Sequence, residues 1–280
     1  NEHRFVKHGE VTNTIFSNSD AKILEINSKT GLYPLYMAYS LYRNRKHDFE
    51  AVDGLIEDID NYSIEEEQVI WDDILTNNIY VICNTPMARR ITIRTLLGFR
   101  ELYKKTGYEV MNVKSERLIE RAISDRESLI RDLQLVGYWR NNKKIRETMK
   151  FNAVVGNPPY QVMTGEGKKG SQATPIYNSF VNIAKLLQPD YISMITPARW
   201  YTGGMGLSGF RADMLNDRRL KLFVDYPNPK DCFPNTNISG GVSYFLWDKS
   251  YSGDCLFTNI VNGEKIAAIR KLNEFDIFIR

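Results

Sequence analysis

The chain has 280 residues, 42% of them hydrophobic and 25% charged, with a net charge of +3. That composition is ordinary for a folded globular domain and excludes a disordered, collagen-like or disulfide-stapled chain. Three cysteines (Cys83, Cys232, Cys255) and three histidines (His3, His8, His47) show no metal-ligand spacing, and no apolar run is long enough to span a membrane. No metal and no membrane partner are therefore expected, and a reducing, cytoplasmic setting is the default.

The first twenty residues are polar and read as an N-terminal arm. Ala21-Lys-Ile-Leu-Glu25 predicts a short strand, Ile26 to Gly31 a turn, and Leu32 to Tyr42 a helix, the opening unit of a dinucleotide-type fold. Residues 43–78 are strongly charged, and Ser63 with Glu66 predicts a capping box at the start of a helix with a solvated acidic face. Ile79 to Asn84 predicts a second strand, followed by a helix from Pro86 that ends near Gly98. Residues 101–150 read as a charged, mostly helical insertion or crossover over Ser115 to Leu135.

The next stretch carries the chemistry. Phe151-Asn-Ala-Val-Val-Gly156 is an apolar strand that opens into Asn157-Pro158-Pro159-Tyr160. A residue before proline is pushed out of helical space, and proline donates no backbone N–H, so the strand stops and the turn stiffens. An amide side chain, a backbone carbonyl and an aromatic ring are thereby brought together. The exocyclic amine of a nucleobase is a poor nucleophile because its lone pair is delocalised. Two acceptors, the Asn157 amide oxygen and the Pro158 carbonyl, suit such an amine, and Tyr160 suits stacking on a base flipped out of a duplex.

Thr164 to Gln172 is a glycine- and lysine-rich loop, with Lys168 and Lys169 placed to meet phosphates. A helix is expected from Thr174 through Leu187, and a strand over Asp190 to Pro197 with a loop from Ala198 to Gly204. A helix over Phe210 to Asp217 and a strand over Leu220 to Val224 follow. Paired strands around Gly240-Gly241 and after Gly253 predict a closing antiparallel hairpin.

Asn-Pro-Pro-Tyr after an apolar strand resembles motif IV of the amino-methyltransferases that use S-adenosylmethionine. The order of the text, from about Gly9 to Ile260, resembles the γ-type adenine-N6 DNA methyltransferases of bifunctional type II restriction–modification proteins. That resemblance implies a Rossmann-like α/β fold of three layers, with a mostly parallel sheet and a terminal antiparallel hairpin. It implies methyl transfer from S-adenosylmethionine to the N6 nitrogen of a flipped adenine, with Asn157, Pro158 and Tyr160 at the target amine. Phe233, in Asp231-Cys-Phe-Pro234, matches a ring that stacks on the base.

On the cofactor side the resemblance assigns Glu25 to the amino group of the methionine part, with Asn27 and Gly31 in the turn after it. Thr12, in Gly9-Glu-Val-Thr12, matches an element that closes over the same end. The acidic residue expected at the tip of the second strand is replaced by Cys83, a weak acceptor, which leaves Asn84 as the candidate for the ribose. Asn27, Ser28 and Lys29 stand where small residues are usual, and a strand with an acidic tip cannot be placed within 101–150.

The same resemblance makes 1–280 a catalytic domain cut from a longer polypeptide, without its target recognition domain. Weak, salt-sensitive DNA contacts are expected through Lys168, Lys169, Arg199, Arg211, Arg218 and Arg219. Two other functions stay open: methylation of RNA or of a protein glutamine, and a non-catalytic DNA-positioning module with a degraded cofactor site.

Overall fold

The computed structural model describes residues 15–52, 63–99, 108–164, 172–236, 238–275 and 278. The chain divides into two compact units, Asn1–Ala153 and Val154–Arg280.

The first unit is built on parallel strands. β1 (Ile23–Ser28) pairs with β2 (Ile79–Cys83), and β2 pairs with a two-residue strand, β3 (Met111–Asn112). Every residue of β1 and β2 is buried, as strands covered on both faces require. The cover is supplied by α1 (Leu32–Val52), α2 (Ile64–Asn77) and α3 (Pro86–Leu97), all of which pack on β2. The Ser63–Glu66 capping box is present at the start of α2, and the Thr85 side chain caps α3 just before Pro86.

After β3 the chain forms α4 (Ser115–Ser124), α5 (Arg126–Leu133) and the single turn α6 (Val136–Trp139). Trp139, Tyr80 and Phe151 meet edge to face, with centroids 5.2 to 6.1 Å apart, and pin this helical segment to the strand layer. The strand that sequence reasoning could not place is therefore β3. Its two residues are too short to leave a periodic signal. Its tip is Asn112, an amide rather than an acid, and Asn112 Nδ2 donates to the Cys83 carbonyl.

The second unit opens with β4 (Ala153–Gly156), whose first residue lies at the unit boundary. Its strands run in the order β11–β10–β8–β9–β7–β4, with β7 (Tyr191–Pro197), β8 (Leu220–Tyr226), β9 (Val242–Asp248), β10 (Cys255–Val261) and β11 (Glu264–Arg270). β9 lies antiparallel between β7 and β8, while β10 is parallel to β8. The expected pairing of the strands around Gly241 and after Gly253 is thus corrected. β8 lies between β9 and β10, and the terminal hairpin is formed by β10 with β11. Turn signals locate strand ends, but an insertion between two strands is decided by packing.

The described part of this unit also holds two α-helices, α7 (Tyr177–Leu186) and α8 (Ser208–Asn216). The stretch read as a loop, Thr164 to Gln172, is flanked by a two-stranded ribbon: β5 (Gln161–Thr164) pairs antiparallel with β6 (Gln172–Pro175). Lys168 and Lys169 lie outside the described residues, as does Thr12. Among the described residues no helix is long and apolar enough to cross a membrane.

Candidate active site

In the second unit, β4 ends at Gly156 and residues 157–160 leave it with no helical or strand hydrogen bonding. Pro158 is buried, and Asn157 and Tyr160 are half-buried. The Pro158 carbonyl receives no hydrogen bond from the described residues, so its acceptor is available to a ligand. The Tyr160 carbonyl accepts the Ile176 N–H at 3.2 Å, which ties the turn to the start of α7.

That tie places the turn beside the loop after β7. The next residue, Tyr177, packs edge-on against Phe210, which packs against Trp200 in the 3-10 turn Ala198–Thr202. From the same turn Arg199 Nε donates to the Ser239 carbonyl at 3.3 Å, joining it to the β8–β9 connection that carries Phe233. Phe233 is half-exposed in that connection, its backbone fixed by the Pro229 carbonyl at 2.7 Å and by Thr236. The turn at Asn157, the turn that carries Arg199 and the connection that carries Phe233 are thus linked by a chain of contacts, and each follows a strand end, where loops of α/β sheets bind ligands.

Two of the basic residues expected there lie elsewhere. Arg218 and Arg219 precede β8, at the end opposite Tyr226. Arg219 is engaged by Asp217 at 2.7 Å, and Arg218 lies 3.7 Å from Asp254. They line a cleft of about 780 Å³ with Lys185 and Lys249, and Lys185 is also held by Asp217. Its cations are largely committed to the protein's own acceptors. A smaller pocket, about 430 Å³, opens instead beside Arg199, Tyr201 and Gly240 on the rim. Arg211 stays near that rim, its guanidinium placed over Gly203.

The first unit holds the residues assigned to the cofactor. Glu25 sits in the interior of β1 rather than at its tip, because the strand continues to Ser28. It is only 4% exposed, and its Oε2 has no hydrogen-bond partner. Burial raises the Glu25 carboxyl to about 7, against the lowering effects of Ser28 and Lys29. Just beyond it the strand register shifts, and Asn27 takes a left-handed φ of 71°. Ser28 Oγ lies 3.2 Å from Thr92 Oγ1 and accepts the Gly31 N–H at 3.2 Å. Gly31 has φ of 76°, and a Cβ there would stand 3.0 Å from Thr92 Cα, so glycine is required by the approach of α3.

At the tip of β2, Cys83 is buried and its thiol is directed to Thr92 Oγ1 at 3.6 Å. Burial pushes that thiol up to about 11, so it stays protonated near neutral pH. Asn84 Oδ1 accepts the Ser115 N–H at 2.8 Å and so has a structural role at the start of α4. Among the described residues of this turn, Glu25 Oε2 is thus a buried acceptor left without a partner, while the carboxyl also bonds with Ser28. A buried carboxyl with one unsatisfied oxygen fits an ammonium group, the group that the methionine part of S-adenosylmethionine carries.

A sequence model described as the Eco57I restriction-modification methylase matches residues 77–233, more than half of the chain. The chain belongs to the Eco57I restriction-modification methylase family. The match runs from Asn77, the last residue of α2, to Phe233 and includes Asn157-Pro-Pro-Tyr160. Glu25, Asn27 and Gly31 precede it.

A Mycoplasma pneumoniae protein described as an uncharacterized adenine-specific methylase is 38% identical to this Eco57I-family chain over 120 residues. The aligned part is 42% of this chain and 28% of that protein, so the chain spans under a third of its relative's length. Among solved structures it is similar to a modification subunit of a type I restriction enzyme from Vibrio vulnificus YJ016, with a TM-score of 0.52 and 13% identity. That likeness covers 87% of this chain and 44% of the other. The type ISP enzyme LlaGI and the type IIL enzyme MmeI, each solved with DNA or a DNA mimic, both give 0.53, at 11% and 10% identity. They cover 87% and 92% of this chain, and 22% and 36% of theirs. At such identities the likeness is one of fold.

The Eco57I-family rim also contains a pair that sequence reasoning missed. Tyr201 Oη donates to Asp225 Oδ1 at 2.7 Å, and Asp225 is wholly buried near the end of β8. This bond fixes the turn that carries Arg199. The available signal was an acid inside the apolar run Leu220 to Tyr226, which a buried strand tolerates only when it is bonded.

Proposed function

We propose that this chain is the catalytic part of an adenine-N6 DNA methyltransferase of a restriction–modification enzyme, using S-adenosylmethionine. The observation that carries the reading is the Asn157-Pro-Pro-Tyr160 turn, which leaves β4 with an available Pro158 carbonyl and is tied to the rim through Ile176. In this reading Asn157 and Pro158 accept the two amino hydrogens of the target base and favour a pyramidal, nucleophilic nitrogen. Tyr160 and Phe233 hold the plane of the base. The cofactor supplies a methyl group on a sulfonium, already a good leaving group, so no strong general base is needed. Glu25 binds its amine, with Asn27 and the turn to Gly31 shaping that end. Arg199 and Arg211 meet DNA phosphates through weak, salt-sensitive contacts, and sequence readout belongs to other domains of the parent polypeptide.

A second reading is favoured by Cys83. With a protonated thiol at the tip of β2 and Asn84 bonded to Ser115, the ribose side offers no acidic acceptor there. A DNA-positioning module with a decayed cofactor site would look the same at this strand. Incubation with methyl-labelled cofactor and DNA, RNA or protein decides among these. Label on adenine N6 in DNA supports the proposal, and label on RNA or glutamine replaces it. No label, together with no cofactor binding by the parent protein, favours the positioning module.

A further inference from the structure

Lys29 stands in the turn after β1, where its family resemblance calls for a small residue, and it lies four positions beyond Glu25. The residues around it are fixed. Ser28 is bonded to Thr92 and Gly31, Thr95 Oγ1 donates to the Thr30 carbonyl at 2.7 Å, and Gly31 is packed against α3. Lys29 itself is exposed, and no ion pair or hydrogen bond of its ammonium is found among the described residues. Its charge and that of Glu25 act on each other, yet no ion pair joins them. One hydrogen-bonded turn thus presents a buried carboxyl with an unsatisfied oxygen and, four positions on, a lysine with no partner of its ammonium among the described residues.

Such a pair is complementary to a molecule carrying both charges on neighbouring groups, as an α-amino acid does. Glu25 by itself would accept any amine. We infer that Lys29 binds the α-carboxylate of the cofactor's methionine part, so that Glu25 and Lys29 together select a zwitterion. The inference rests on the reading of this turn as the S-adenosylmethionine site, and it adds a selectivity which that reading does not contain. A charge-assisted contact on an exposed lysine is modest, and its loss should weaken binding by about tenfold.

The test is calorimetric titration of the whole chain with S-adenosylmethionine and with its decarboxylated form, which keeps the amine and lacks the carboxylate. For wild type, the complete cofactor should bind about tenfold more tightly. Lys29→Met should remove that preference by weakening the complete cofactor about tenfold more than the decarboxylated form, and Lys29→Arg should restore most of it. Equal affinities in wild type, or an equal loss for both ligands in Lys29→Met, would overturn the inference while the cofactor site stands. Binding of neither ligand by wild type would overturn the inference together with the site it rests on. Thermal melting of both variants at the wild-type temperature shows that the fold is not the cause.

Discussion

Asn84 Oδ1 accepts the backbone N–H of Ser115 at 2.8 Å, across 31 positions of sequence. Lys114, the residue before α4, has no side-chain cap of its own, so Asn84 satisfies a donor that the helix start would otherwise leave open. Asn84→Ala should cost about 1 kcal/mol of stability in urea unfolding, as the loss of a helix cap does. Cofactor affinity should change little. A large loss of affinity at unchanged stability would return Asn84 to the ribose.

Glu25 sets a pH dependence of two signs. Its carboxyl is raised from 4.5 to about 7 in the fold, so its contribution to stability is present below pH 4.5 and declines as the pH rises through 7. That span corresponds to about 3 kcal/mol. Glu25→Gln should therefore stabilise the ligand-free chain at pH 8 and do little at pH 4. Binding of the cofactor amine needs the ionised carboxylate, so affinity should rise from pH 6 to pH 8 and be lost in Glu25→Gln. Melting curves and titrations at the two pH values check both signs.

Asn157→Ala removes one of the two acceptors assigned to the target amine. Methyl incorporation into DNA should fall by roughly a thousandfold or more, as for loss of a preorganised polar group at a reacting centre. Cofactor titration should be unaffected, since Glu25 and its turn lie on other elements. Wild-type turnover in this variant would remove Asn157 from the mechanism.

Asp217 is a structural node. It accepts from Lys185 Nζ at 2.8 Å, Arg219 Nε at 2.7 Å and Trp247 Nε1 at 2.9 Å, with its side chain 5% exposed. Burial works to raise its pKa, yet the hydrogen bonds from Arg219 and Lys185 hold it well below the usual carboxylate range. Its stabilisation is therefore present above about pH 4 and lost as the pH falls further. Asp217→Ala should cost roughly 3 kcal/mol at pH 7, by leaving Lys185 without its partner. Asp217→Asn should flatten the acid limb of the stability curve, which denaturant titrations from pH 3 to pH 7 would show.

Much of the local structure around the proposed site could be read before any coordinates. Asn157-Pro-Pro-Tyr160 is legible because prolines act on their own backbone and on the residue before them, and the structure shows the strand ending at Gly156. The Ser63 cap of α2 and the strands at Ile23 and Ile79 follow from equally local rules. The place of Glu25 in the first strand was legible, though its unsatisfied oxygen was not.

What tertiary structure decided are relations between residues far apart in the chain. β9 enters between β7 and β8, so the expected hairpin partner of β10 is β11. Arg218 and Arg219 face Asp254 and Asp217 at the far end of β8 rather than the rim. Asn84 serves Ser115, and Gly31 serves α3. Local propensity acts through a residue's own dihedrals and those of its neighbours. Which acceptor is already taken, and which charge is left over, depends on chain segments that only packing brings together.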